Sequence, residues 1–457
     1  MKFPGNRMTV AELRASISLA GIFGLRMLGM FVILPVFAIY AEHIPGGNNL
    51  TLVGIALGVY GLTQSVLQIP FGWLSDRYGR KPVIYFGLAI FAAGSFVAAA
   101  ADNIYIVILG RVLQGAGAIS AAVMAMAADL TREDQRTKAM AMIGMTIGLT
   151  FAVSLVASPW LNQVIGVPGI FAMTGVLSLL AMIVVYLIPD AHSTQAQEAA
   201  LVAPSFAKVL REPQLARLNV GIFVLQAVLM ALFVVVPLAL RDIGLAVDHH
   251  WQVYLPVMLG SFVLMVPGIL MAEKYGRVKA VFIASIAMIL GGQLAMPWLL
   301  AGVVPIAFFL LIFFTAFNVL EAMLPSLISK LAPPGAKGMA IGIFSSVQFL
   351  GTFVGAAGGG FLYQHYGARG VFVFDAVLLA AWLALAAGMQ APRSVRTRTY
   401  AIPALDSTQA NSLLVRLQAQ PGVREVILAA GGRTARLKVD ATGYDERVVL
   451  RLIEDII

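Results

Sequence analysis

The sequence predicts an all-α membrane protein of twelve helices in two six-helix bundles, followed by a small soluble α+β domain. Three observations carry that expectation. The chain has 457 residues, 60% hydrophobic and only 12% charged, whereas soluble domains carry roughly a quarter charged residues; its natural solvent is lipid. A charged turn between apolar runs is written twice, as GWLSDRYGRK (72–81) and as ILMAEKYGR (269–277). From about Tyr400 the long apolar runs stop, and seven basic and seven acidic side chains punctuate short apolar stretches.

Apolar stretches of about twenty residues are long enough to cross a hydrocarbon core of roughly 30 Å as helices. They fall near 15–40, 52–74, 82–101, 104–128, 138–160, 168–188, 217–240, 250–272, 279–300, 303–328, 338–363 and 370–390. The first is too long for a removable signal peptide and lacks a small-residue cleavage site. With the N-terminus in the cytoplasm, twenty Lys and Arg fall on inner segments and only Arg241 and Arg369 on outer loops. That asymmetry places both termini inside. The net charge of +9 is therefore topology, and nucleic acid is not expected as a partner.

The expected organisation is a first bundle over 1–190, a polar cytoplasmic linker over 191–214, a second bundle over 215–392 and a soluble domain over 393–457. The end of the linker, SFAKVLRE (205–212), reads as a short amphipathic helix lying at the interface. In the last domain YAIP, VREVILAA and RTARLKVD read as strands, and STQANSLLVRLQAQ and DERVVLRLIEDII as helices. The order β-α-β-β-α is a ferredoxin-like pattern.

A shift of 197 residues aligns Asp76 with Glu273, Arg77 with Lys274, Tyr78 with Tyr275, Gly79 with Gly276 and Arg80 with Arg277. Each copy lies between the second and third span of its half. The positive-inside rule alone accounts for the Lys and Arg but not for the acid-base-Tyr-Gly-Arg order, so a duplicated six-span unit is expected, as in many secondary transporters. In the first copy Gly72 and Gly79 allow close helix approach and a tight turn. Asp76 precedes a helix N-terminus, where a carboxylate is favoured.

With Lys81 that loop, GWLSDRYGRKPVI, resembles the signature loop of the major facilitator superfamily. LGRVLQGAGA (109–118) is similar to its fourth-span motif around Arg111, Gln114 and Gly115. LGMFVILPVFAIY (28–40) is similar to the first-span motif of its twelve-span drug/proton antiporter branch. The resemblance covers all twelve spans, and the appended C-terminal domain marks a subgroup. It implies the twelve-helix major facilitator fold, secondary transport by alternating access, a proton gradient as energy source, and residence in a bacterial inner membrane. It also implies an Asp76–Arg136–Asp129 cluster that latches the halves in an outward-facing state. One departure stands out: the fifth-span antiporter motif appears as GMTIGLTFAVSLVASPW (144–160), with Ser158-Pro159 and no following glycine pair.

Arg26, Arg111 and Glu321 lie well inside spans, and Asp375 lies nearer the outer edge of the twelfth. A mid-span charge costs roughly 2.5–3.5 kcal/mol even on lenient scales, so each needs a partner or a watery cavity. In the superfamily the first, fourth, seventh and tenth spans line the central cavity, which includes the spans of all three. Apolar surroundings favour the neutral carboxyl, making Glu321 the candidate proton carrier and Arg26 its candidate partner; Arg111, with Gln114, is read as an organiser of the fourth span. Candidate cavity residues are Met30, Phe31, Tyr60, Gln64, Gln226, Phe233, Asn318 and Gln348.

These readings favour proton-coupled export of small amphipathic compounds, with the bilayer and protons as partners. A facilitator or symporter for a defined metabolite stays open, as does a sensor signalling through the C-terminal domain. The absence of cysteine removes thiolate metal sites and cysteine nucleophiles. No metal, cofactor or enzymatic activity is expected.

Overall fold

A computed structural model describes residues 8–132, 135–189, 209–299, 302–332, 337–389, 395–402, 407–428, 434–440 and 444–454. The chain parts into two compact units: residues 1–272 with 279–389, and residues 273–278 with 390–457.

In the first unit, helices α1 (Val10–Phe31), α2 (Leu34–Ala41), α3 (Leu50–Tyr78), α4 (Arg80–Ala99), α5 (Ile104–Ala116), α6 (Ser120–Asp129) and α7 (Arg136–Leu187) build the first half. The second half holds α8 (Pro213–Asp242), α9 (Trp251–Glu273), α10 (Val278–Leu299), α11 (Val303–Leu331) and α12 (Lys337–Ala387). Ten described helical segments are long and apolar enough to cross a membrane. Two of them, 138–187 and 338–387, have 50 residues each, about 75 Å at 1.5 Å per residue, twice what a crossing needs. Both bend at a glycine with left-handed backbone, Gly166 (φ +66°) and Gly367 (φ +65°), a conformation that other residues rarely adopt. Counting each as two crossings gives twelve.

The expected first and fourth spans are not continuous helices. The first breaks between Phe31 and Leu34, just before Pro35, and the fourth between Ala116 and Ser120, where Gly117 comes close to the carbonyl of Gly87 on α4. Most of the expected linker, 190–208, lies outside the described residues. Val209 and Leu210 are helical at the end of the expected amphipathic segment, and α8 begins at Pro213, inside the expected linker.

The two halves meet along α3 and α12, where glycines take the place of side chains. A Cβ on Gly54 would lie 2.2 Å from the Ala356 oxygen, one on Gly61 2.5 Å from that of Phe349, and one on Gly360 2.3 Å from that of Leu50. On a second face of α12, Gly351 and Gly355 stand equally close to Phe223 and Ala227 of α8. Small residues that let backbones touch are how helices associate in lipid, where burial of apolar surface drives nothing.

In the second unit, β1 (Val395–Ala401), β2 (Val423–Leu428) and β3 (Thr434–Asp440) form a sheet in the order β1-β3-β2, with β3 antiparallel to both neighbours. The split leaves β1 and β2 parallel, joined through helix α13 (Ser407–Gln418); α14 (Glu446–Glu454) follows β3. Leu413 and Leu417 of α13, Leu437 and Val439 of β3, and Val449 and Ile453 of α14 form one buried core, each pair at its element's period. β1 starts before the expected YAIP, because Val395, Thr397 and Thr399 alternate with arginines and all of 395–401 pairs with β3. Tyr400 bonds Tyr444 and donates to Glu446 at 3.0 Å; burial, with those two bonds, holds its hydroxyl above the ordinary tyrosine range.

Gly360→Leu is expected to lower the thermal midpoint of detergent-purified protein by several degrees, matching an overpacking cost of about 1–3 kcal/mol. Gly338→Leu, where a Cβ meets nothing within 4 Å, should leave it within about one degree. Equal melting of both variants would refute the glycine seam.

Candidate functional site

The charged turn is built around Arg80. α3 ends at Tyr78, Gly79 turns the chain at φ +94°, and Arg80 opens α4. Its guanidinium is paired with Asp76, donates to Asp129 Oδ2 at 2.9 Å and to Ser75 Oγ at 2.8 Å. The arginine is 9% exposed against 59% for Asp76. Among the described side chains the cation that meets both carboxylates is Arg80; the expected cluster has Arg136. Arg136 opens α7, and its side chain lies outside the description. The cluster joins α3, α4 and α6, all in the first half. Arg77 instead lies over the rings of Trp73 and Tyr78, and Gly72 is in ordinary contact with Ala121 of α6.

In the second copy, Glu273, Lys274, Gly276 and Arg277 are exposed. Gly276 repeats the left-handed turn (φ +66°), and Lys274 lies over Tyr275. Where the first copy binds its arginine to two carboxylates, the second forms no such cluster among the described residues.

Arg111, fully buried, is satisfied without a carboxylate. Its Nη1 reaches the Gly29 carbonyl at 3.2 Å and Gln114 Oε1 at 2.8 Å; Nε and Nη2 reach the Ala56 and Leu57 carbonyls at 3.3 Å. Gln114 passes the contact to Ser95 at 2.8 Å. One guanidinium thus ties α5 to α1, α3 and α4. Gly115 allows this approach: a Cβ there would strike Thr63 and Tyr60. Arg26, 2% exposed, donates to Ser120 at 2.6 Å and to Gln64, whose Nε2 also bonds Ser120 at 3.0 Å. The Tyr60 ring lies 4.9 Å from Arg111 and 5.8 Å from Arg26, and each cation is attracted to such a face.

Glu321 stands apart from these cations. Half-buried on α11, it accepts from Gln226 of α8 and from Gln348 of α12, each at 3.1 Å. The expected Arg26–Glu321 partnership is absent: amides and a hydroxyl serve each charge in its own half. Asn318 donates to Ser261 at 3.1 Å. Ser261 is 197 residues beyond Gln64 and Asn318 is 198 beyond Ser120, so that bond repeats the Gln64–Ser120 bond in the other half.

Of the apolar cavity candidates, Phe31 and Phe233 are packed rather than open. Phe151 of α7 gathers Phe31 at 5.0 Å, Phe233 at 6.3 Å, Phe314 at 5.8 Å and Phe317 at 6.2 Å, joining both halves. Met30 is 3% exposed. Beyond this layer, at the end opposite Asp76, Glu42 pairs with Arg241 and Leu50 N–H bonds Gln364 at 2.8 Å, again across the halves. Phe151, Ser95, Ser120 and the Glu42–Arg241 pair were missed in the sequence. Phe151 does lie within the departing fifth-span motif. At the Asp76 end, Glu12 accepts from Arg132 at 2.9 Å.

This geometry describes two related helix bundles pressed together at one end around mid-membrane charges, the build of a secondary transporter. The chain belongs to the Major Facilitator Superfamily, whose model matches residues 19–272 and 250–400. It is 44% identical over 446 residues to the inner membrane transport protein YajR of Escherichia coli, covering 95% of this chain and 96% of that protein. It is 25% identical to the multidrug resistance protein MdtH of Aeromonas hydrophila, covering 74% and 85%. A bacterial homolog of the human lysosomal transporter Spinster, solved inward-facing and occupied, shares the fold with a TM-score of 0.68 at 13% identity, covering 83% and 97%. The chain is thus a membrane-spanning secondary transporter of small molecules.

Arg80→Gln is expected to slow transport roughly tenfold, about 1.4 kcal/mol, with insertion intact. Arg77→Gln should cost less than about twofold, since it loses only exposed ring contacts. The exchange Arg80→Asp with Asp129→Arg should recover part of the loss; no difference between Arg80→Gln and Arg77→Gln would remove the cluster from the mechanism.

Proposed function

We propose that this protein is a proton-coupled exporter of small amphipathic compounds in a bacterial inner membrane, with Glu321 as the proton carrier. The observation that carries the reading is the setting of Glu321: a half-buried carboxylate on α11, held by one amide from α8 and one from α12, with no cation bonded to it among the described residues. Amides solvate the anion without fixing it. A proton arriving on one oxygen ends one N–H···O bond and removes the charge, which eases passage through a conformation that closes the site to water. The amide so released is then free to meet a polar group of the substrate, so proton and substrate compete for that partner.

The excess of Lys and Arg at the Asp76 end supports that end as cytoplasmic. The contacts closing the opposite end then correspond to an inward-facing conformation, in which Arg80 braces the first half. The Phe151 layer, with Met30 and Phe233 beside it, supplies an adaptable apolar lining when it parts. The similarity to a multidrug resistance protein favours amphipathic substrates. We read residues 393–457 as a soluble ferredoxin-like domain on the cytoplasmic side, supported by its split β-α-β sheet.

In proteoliposomes, amphipathic compounds should drive proton movement by the wild type. Glu321→Gln should reduce it at least tenfold while substrate-for-substrate exchange persists. Transport without proton movement by the wild type, or full coupling in Glu321→Gln, would overturn the reading.

A further inference from the structure

Arg26 is bonded through its two terminal nitrogens, Nη1 to Ser120 of α6 and Nη2 to Gln64 of α3. Its Nε is buried and has no hydrogen-bond partner among the described residues. The charge is unmet as well, because a hydroxyl and an amide accept hydrogen bonds but carry no net charge. Arg111, on the other side of the analysis of Tyr60 ring contacts, is held by carbonyls and Gln114. Two permanent cations thus approach the ring of Tyr60, and among the described residues no carboxylate is bonded to either. Glu12, Asp76 and Asp129 of this half are paired with Arg132 and Arg80 instead.

Arg26 also lines a cavity. A space of about 10 Å³ lies between Ile22 and Arg26 of α1, Leu88 and Phe91 of α4, and Ser178 and Ala181 of α7. That volume suits one water or one small ion. Arg26 and Ser178 are the polar residues of its lining, and both present donors. Ser178 Oγ donates to the Leu88 carbonyl at 2.9 Å. That carbonyl lies within α4 and has a helical N–H to accept from, so the serine hydroxyl is free to turn toward the cavity.

We propose that this cavity binds a small monovalent anion of chloride size, held by Arg26 Nε–H and Ser178 Oγ–H. A water would meet the unpaired N–H, but only an anion meets the charge too, and attraction between opposite charges is strong where the dielectric is low. An arginine keeps its proton under all relevant conditions, so the site cannot discharge itself by titration. The remaining walls are carbon, which offers nothing to a polyvalent, strongly hydrated anion such as sulfate. A bound anion holds Arg26 where its terminal nitrogens join α1 to α3 and α6. The site lies wholly in the first half, and the proposal stands whether or not Glu321 carries the transported proton.

The test uses full-length purified protein and chloride or bromide as the probe. The wild type should melt several degrees higher in about 0.3 M sodium chloride than in sodium gluconate of the same strength, because the smaller anion binds the folded state. Arg26→Gln should melt alike in the two salts. So should Ala181→Val, which keeps the arginine and fills the space, and which decides the matter if Arg26→Gln does not fold. In bromide-soaked crystals the anomalous signal should fall within hydrogen-bond reach of Arg26 Nε. Equal melting of the wild type in both salts, a response retained in Ala181→Val, or a cavity without bromide would overturn the proposal and leave water as its occupant.

Discussion

An ionised group in the membrane interior must be solvated by the protein itself, and this chain does so mainly with neutral groups. Arg111 is the clearest instance. Its guanidinium is held by three backbone carbonyls, a glutamine and an aromatic face, with no carboxylate in the set. An ion pair would neutralise the charge but tie the arginine to one partner. Carbonyls from α1 and α3 instead make the charge a fastener among helices. Remove the arginine and four helices lose their common point of attachment.

The two halves divide the signs. The first holds Arg26 and Arg111 beside serines, glutamines and Tyr60; the second holds Glu321 beside Gln226 and Gln348. A permanent cation suits structure, since arginine keeps its proton under all relevant conditions. A carboxyl suits exchange, since its charge can be removed. Duplication gave both halves the same bends, turn and inter-helix hydrogen bond, and divergence placed fixed charge in one and removable charge in the other. The turn shows the same divergence: the copy with Asp76 and Arg80 is clamped to Asp129, and the copy with Glu273 and Arg277 forms no such cluster among the described residues.

Much of this was legible in the sequence because it is local. Span lengths follow from hydropathy, and the repeat from five aligned residues. What was not legible depends on direction in space. Arg80 follows Asp76 by only four residues, and it is the turn at Gly79 that brings its guanidinium between Asp76 and Asp129. Phe151 is one of 26 phenylalanines, unremarkable until four aromatic neighbours from both halves converge on it. Asp375 reads from sequence as a residue near a span's edge. Its rotation about α12 buries it fully, away from partners among the described residues.

The same constraint explains why the closed end is closed by different means at different depths. Near the aqueous edge an ion pair, Glu42–Arg241, joins the halves, because partly exposed charges there remain hydrated and separate at small cost. Deeper, an ion pair between halves would leave two bare charges in lipid each time the halves part. The chain uses aromatic rings and glycine-backed contacts there, which lose only dispersion when they separate. Reversible closure therefore requires that contacts between the halves become less polar with depth, while contacts within each half, at Arg111 and Arg26, become more so. The polar groups stay with the bundle that moves, and the surface along which it moves is carbon.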